Sequence, residues 1–153
     1  MSKFHGFEPV FDSNSTVLIL GSFPSVKSRE TDFYYGNKQN RFWRTLCEAF
    51  GNPPVTTADE KKHLCLTNGI ALWDIVESCE IRGSMDADIT DYTLVNLSRV
   101  LDKCKIDRIL CNGATAYMLT KSVYNGQIPV YKLSSTSPAN VRFNKDEWLQ
   151  HLK

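Results

Sequence analysis

Short apolar runs alternate along the chain with segments whose apolar residues recur at helical spacing. "TVLIL" at 16–20 is apolar at nearly every position and reads as a strand buried on both faces, ending at Gly21. "GIALWD" (69–74), "DRILCNG" (107–113) and "IPVYKL" (128–133) read as three further strands. Between them, "RFWRTLCEAF" places Phe42, Trp43, Leu46, Cys47 and Phe50 on one helical face, with Asn40 as its N-cap and Gly51 as its stop. "TADEKKHLCLTNG" predicts a short helix. "DYTLVNLSRVLDKC" predicts a helix over 91–104 from Leu94, Leu97, Val100, Leu101 and Cys104, capped by Asp91. "ATAYMLTKSVY" predicts another helix, and "NKDEWLQHLK" a last one capped by Asn144. Strands separated by helices predict an α/β fold: a three-layer αβα sandwich around a central four-stranded parallel sheet.

Composition narrows the class. The 153 residues suit a single domain over 1–153; 42% hydrophobic and 23% charged residues are ordinary globular values. No apolar run approaches a membrane span, and "MSKFHGFEPVFDSNST" lacks a signal core, so a cytoplasmic protein is expected. The five cysteines have no CxxC spacing, which argues for free thiols rather than disulfides, a zinc ribbon or an iron–sulfur cluster. Net charge is only +1, yet 25–45 carries Lys27, Arg29, Lys38, Arg41 and Arg44 against Glu30 and Asp32, an imbalance that leaves room for a local basic face.

In doubly wound sheets, ligands bind in the loops that leave the carboxyl ends of the strands. Those loops are "GSFPS" with its extension "DFYYGNKQNRFW", Asp74, Asn112-Gly113, and "SSTSPAN" at 134–140. His5, His63 and His151 all fall outside them, so imidazole-based triads have little footing. No dinucleotide or phosphate-loop motif occurs, and no His/carboxylate cluster has metal spacing. The rim instead holds amides, hydroxyls and aromatics. Such a set suits a flat heterocycle: a ring stacks on it, amides read its edge, and hydroxyls with backbone N–H groups hold phosphates.

Five segments in order, "LILGSFPS", "FYYGNKQNRFW", "GIALWDIVESCEIRGSMDADI", "ILCNGATAY" and "LSSTSPAN", resemble the motif series of the hypoxanthine-DNA glycosylases. These are DNA-deoxyinosine glycosylases within the uracil-DNA glycosylase superfamily, and the resemblance spans roughly residues 5–150. "NRFW" also resembles the mismatch-specific uracil-DNA glycosylases. The resemblance implies a uracil-DNA glycosylase-like fold and hydrolysis of the N-glycosidic bond of a deaminated base, chiefly hypoxanthine, in double-stranded DNA during base excision repair. It implies no cofactor and no metal; a monomer is expected. The alternatives are a uracil or mismatch glycosylase and a non-catalytic DNA- or nucleotide-binding module.

Residue by residue, the resemblance makes Asn40 the catalytic group, placing water near C1′ or donating to the leaving base. Local sequence alone is equally satisfied by a helix N-cap. Tyr35 matches an aromatic that stacks on the flipped base, while Tyr34 reads as structural. Phe23 stands where uracil-removing relatives carry Asp or Asn; it either packs on the base beside the backbone of Gly21 and Ser22, or is a core residue. Asn112 either reads the base edge or shapes the turn before Gly113. Ser25, Ser135, Thr136 and Ser137 are expected at DNA, Asn140 either at DNA or capping a turn, and Arg41 and Arg44 either on phosphates or simply solvated. Asp74 reads as a helix cap or structural hydrogen-bonder. Ser134 and Lys38 replace prolines usual in relatives, which puts loop rigidity in question. No lysine is placed for a Schiff base, so a monofunctional enzyme is expected.

Overall fold

A computed structural model of the chain describes residues 2–23, 33–81 and 89–153. Ser25, Lys27, Arg29, Glu30 and Asp32 lie outside the described residues. The central sheet contains β2 (Val17–Gly21), β3 (Ile70–Asp74), β6 (Arg108–Asn112) and β7 (Val130–Leu133) in the order β3-β2-β6-β7, all parallel. Every residue of β2 and β3 is buried, as expected of strands covered on both faces. Val17 and Ile19 enter one core, Leu18 and Leu20 the other.

The first core is closed by α1 (Phe42–Phe50), α2 (Ala58–Thr67) and α5 (Lys145–Leu152). The second is closed by α3 (Ser98–Leu101) and α4 (Ala114–Val123) with the chain around Ile75–Val76. This is the predicted three-layer arrangement. Gly51 ends α1 in the left-handed region at φ 61°, where a side chain would strain the backbone. Asn144 caps α5 as expected, its Oδ1 accepting from the Glu147 N–H at 3.2 Å. All five cysteines are free, and four are buried. No described helix is long and apolar enough to cross a membrane.

Three expectations need correction. The helix expected over 91–104 is mostly something else: β5 (Ile89–Leu94) runs into it, and only Ser98–Leu101 is helical. The apolar spacing mixed a strand end with one helical turn, and Asn96 rather than Asp91 supplies the cap, accepting from the Ser98 N–H and hydroxyl. A second sheet, order β1-β4-β5, is antiparallel and was not anticipated; it comprises β1 (Ser2–His5), β4 (Val76–Ile81) and β5. Its β4 begins directly after β3, so no helix starts at Asp74 for that residue to cap.

β4 also shapes the rim. The Ile75 N–H donates to the Gly21 carbonyl at 2.8 Å and the Val76 N–H to that of Ser22 at 3.0 Å. The parallel pairing of β2 with β3 thereby continues past the sheet and holds the first rim loop.

The start of α2 carries a titratable device. Thr57 Oγ1 accepts from the Glu60 N–H, while Glu60 Oε1 accepts from the N–H groups of Thr57 and Thr56 and the Thr56 hydroxyl. These donors, the two backbone N–H groups foremost, lower the Glu60 carboxyl from 4.5 to about 2. A depressed folded value stabilises the fold above the ordinary value, and that contribution is lost as pH falls through about 2. Thr57→Ala is therefore expected to cost about 1 kcal/mol near neutrality. In Glu60→Gln, the gap in melting temperature to the parent should shrink as pH is lowered from about 4.5 to about 2. A gap that stays constant over that range would contradict the capping role.

Candidate active site

Strand register brings the rim together. Gly21 pairs with Asp74 at the carboxyl ends of β2 and β3. A Cβ on Gly21 would sit 2.5 Å from Asp74 Oδ1 and 3.0 Å from the Tyr35 hydroxyl, so both groups close over that α-carbon. Glycine is required here by close approach. Asp74 is only 4% exposed. The sequence suggests a cap or structural hydrogen-bonder there, and the structure places it beside Gly21 and Tyr35 at the rim. The signal was present: a lone acidic residue ends an otherwise apolar buried strand, in register with the glycine of the neighbouring strand.

Tyr35 adopts φ +52°, the left-handed region that non-glycine residues avoid. Its ring stacks on Phe42 with centroids 4.1 Å apart and planes inclined by 25°. Its hydroxyl is buried and makes no hydrogen bond of ordinary geometry among the described residues, although the Asn112 amide lies close enough to act on it. Burial pushes that hydroxyl far above its ordinary pKa, and the Asp74 carboxylate acts in the same direction; the Asn112 amide opposes them. The group therefore stays protonated, with its proton not donated to any described residue. Tyr34, by contrast, is structural as expected: its hydroxyl donates to the Glu8 carbonyl at 2.8 Å and its own carbonyl accepts from Trp43 Nε1.

Asn40 lies one residue before the N-cap position, which is taken by Arg41 without a side-chain cap bond. The Asn40 side chain nevertheless caps in effect, since Oδ1 accepts from the Phe42 N–H at 2.9 Å. That bond fixes which end of the carboxamide is oxygen. Its Nδ2 makes no hydrogen bond among the described residues and remains available as a donor.

Asn112 and Thr136 hold each other at both ends. Asn112 Nδ2 donates to Thr136 Oγ1 and the Thr136 N–H donates to Asn112 Oδ1, each at 3.0 Å. Thr136 is 1% exposed, so its hydroxyl faces inward rather than toward a surface anion. Ser135 and Ser137 differ from it. Their Oγ atoms accept from the N–H groups of Ser137 and Ala139 at 3.2 Å, which leaves each hydroxyl proton to donate elsewhere. Asn140 Nδ2 donates to the Ser135 carbonyl and its Oδ1 accepts from the Arg142 N–H.

The question of rigidity at Ser134 is met by three hydrogen bonds. Its N–H donates to Glu147 Oε1, its Oγ accepts from the Asn144 N–H, and its carbonyl accepts from Trp148 Nε1. Three bonds to the start of α5 do there what a proline ring would do.

Phe23 is buried in the second core, with its ring edge 3.7 Å from where a Cβ on Gly6 would lie. That position suits the core alternative. Ser22, beside it, is partly buried and its carbonyl is held by β4. Arg41 turns back into the protein: Nη1 donates to the Asn140 carbonyl at 2.9 Å and to that of Ser137 at 3.4 Å. Arg44 is exposed.

The family described as the uracil DNA glycosylase superfamily matches residues 8–153. The chain belongs to the uracil DNA glycosylase superfamily. Within reach of it are two relatives named hypoxanthine DNA glycosylase. One, from Methanosarcina acetivorans, is 36% identical over 94% of each chain. The other, from Methanosarcina barkeri, is 34% identical over 72% of each. A solution NMR structure from Methanosarcina acetivorans, described as a candidate uracil DNA glycosylase, superposes with a TM-score of 0.81 at 32% identity and covers 99% of each chain. The fold expected from the motif series is thus that of the superfamily.

In this superfamily member the structure groups Gly21, Tyr35, Asp74 and Asn112 around one point, with Asn40 bonded to the Phe42 N–H next to the ring that backs Tyr35. Gly21→Ala tests that grouping. The added methyl should displace Asp74 or Tyr35 and lower the unfolding free energy by about 1–3 kcal/mol. An unchanged denaturation midpoint would mean the three groups are not packed as described.

Proposed function

We propose that the chain is a monofunctional DNA glycosylase that hydrolyses the N-glycosidic bond of deaminated bases, chiefly hypoxanthine, in double-stranded DNA. The observation that carries this reading is the shared footing of Tyr35 and Asn40 on Phe42. The ring of Phe42 backs the Tyr35 ring at 4.1 Å, and its N–H orients the Asn40 carboxamide at 2.9 Å. A stacking plate and an aimed amide are thereby held in fixed relation. The naming of two relatives over 72% and 94% of this chain favours hypoxanthine as the base.

In this reading the base leaves the duplex at a cost of a few kcal/mol, less when it is mispaired. The face of Tyr35 opposite Phe42 receives it. Asn40 Nδ2 donates to the departing base, and the second lone pair of Oδ1 accepts from the attacking water. An amide is a poor general base. That suffices where the bond breaks first and an oxocarbenium-like sugar is left for a well-placed water. The inward hydrogen-bonding of Asn112 to Thr136 still leaves it one N–H and one lone pair. Ser135 and Ser137, whose protons point away from their accepted bonds, suit the flanking phosphates.

The test uses labelled duplexes carrying inosine, uracil or xanthine, followed by alkali to break abasic sites. Breaks chiefly in the inosine duplex, and only after alkali, are expected. Breaks chiefly with uracil would replace this reading with a uracil glycosylase; retarded DNA without breaks would replace it with a binding module. Asn40→Ala should lower the single-turnover rate by about 10²-fold or more while the circular dichroism spectrum stays unchanged. Near-parent turnover in that variant would remove Asn40 from the chemistry.

A further inference from the structure

Arg41 is placed unlike a surface cation. Its backbone N–H donates to the Thr136 carbonyl at 3.1 Å. Its guanidinium reaches the carbonyls of Ser137 and Asn140 through Nη1 and lies over the Phe143 ring, 5.1 Å from the centroid. One residue therefore ties the segment that carries Asn40 to both sides of the turn at 135–140, which is nearly a hundred residues away in sequence. Ala139 in the turn and Val141 just past it are exposed, the latter at 92%.

We propose that Arg41 is a positioning residue. It fixes the distance between the amide at the reaction centre and the loop that holds the DNA, and it does so through carbonyl oxygens rather than through a phosphate. This inference rests on the glycosylase reading above for its kinetic consequence, but the tie itself is independent of it. Guanidinium geometry is essential to the role. One planar group meets two carbonyls and an aromatic face at once, whereas an ammonium is a point donor on a flexible stem. If DNA binds on the outer face of the loop, any slack between loop and Asn40 becomes an error in the position of C1′. A displacement of about 1 Å at a reacting centre costs on the order of 10²-fold in rate.

Three variants test this: Arg41→Lys keeps the charge, Arg41→Met removes it, and Phe143→Ala removes the platform but leaves the arginine. Three quantities are read on each: the single-turnover excision rate on the best substrate, the Kd for DNA across a salt series, and hydrogen exchange of the 134–142 amides. The strut role expects the rate to fall about 10- to 100-fold in both Arg41 variants, and less in Phe143→Ala. Lysine should fail to rescue, exchange in 134–142 should accelerate, and the slope of log K against log salt should stay at the parent value. A phosphate contact would give the reverse, with near-parent rates for Arg41→Lys and a slope reduced by about 1 in Arg41→Met, and would overturn the proposal. Unchanged exchange in all three variants would overturn it as well. Should the parent protein excise no base from any duplex, the glycosylase reading fails, while exchange in 134–142 still decides whether the strut exists.

Discussion

The packing of Phe42 is the contact on which the rest of the rim depends. The residue is fully buried, and its ring meets Tyr35 face to face and Trp43 and Trp148 edge-on. Trp148 belongs to α5, whose start holds Ser134, and Ser134 opens the loop that reaches Arg41. The circuit closes at the Phe42 N–H, which orients Asn40. One residue at the first position of a helix thus couples a stacking ring and a distant loop through its side chain, and an amide through its backbone N–H, to the same core. Losing its ring would remove a large buried surface and the backing of Tyr35 and Trp148, while the N–H that orients Asn40 would remain.

That circuit also accounts for a strained residue. A tyrosine at positive φ costs on the order of 1–3 kcal/mol and persists only where its surroundings over-determine it. Here the ring is held by Phe42, and the backbone follows Tyr34, whose hydroxyl and carbonyl are both bonded. The result is a hydroxyl driven beside Asp74 and over Gly21. In an extended conformation the chain would carry the ring to the other side of the segment. The strain and the burial of a hydroxyl that makes no hydrogen bond of ordinary geometry among the described residues are two costs at the same place, which is where a binding site concentrates them.

The parts of the fold legible in the sequence are those fixed by local periodicity. Four apolar runs gave the parallel sheet, and the helices over 41–50, 57–69, 114–124 and 144–153 agree with those found to within a residue or two at most ends. The antiparallel sheet was illegible because its strands pair across chain segments with weak alternation and two irregularities in register. In addition, Leu94, Leu97, Val100 and Leu101 imitate a helix across a strand end. At the site, Tyr35 and Asn40 were legible only through the motif series, since an Asn before a helix satisfies a cap equally well. The Asn112–Thr136 pair and the inward turn of Arg41 depend on contacts between residues 24 and 99 positions apart. No local pattern encodes such contacts. Asp74 was visible as a residue but not as a neighbour of Gly21, because that requires the register of two strands.

Carboxamides cannot be tuned as acids and bases are. Burial and neighbouring charge move a carboxyl or imidazole by several pKa units, but an amide has no proton to titrate in the working range. The only variable the fold can adjust for Asn40 is where its two polar atoms point. This explains why so many of the bonds around the rim are positional: Oδ1 of Asn40 to a helix N–H, both ends of Asn112 to Thr136, three bonds on Ser134, and the guanidinium of Arg41 on two carbonyls. Under the proposed reaction, where bond breaking runs ahead of water attack, such placement is also what the transition state needs. Charge develops on the sugar and on the leaving base, and neutral dipoles already aimed at those atoms stabilise it without first having to reorganise.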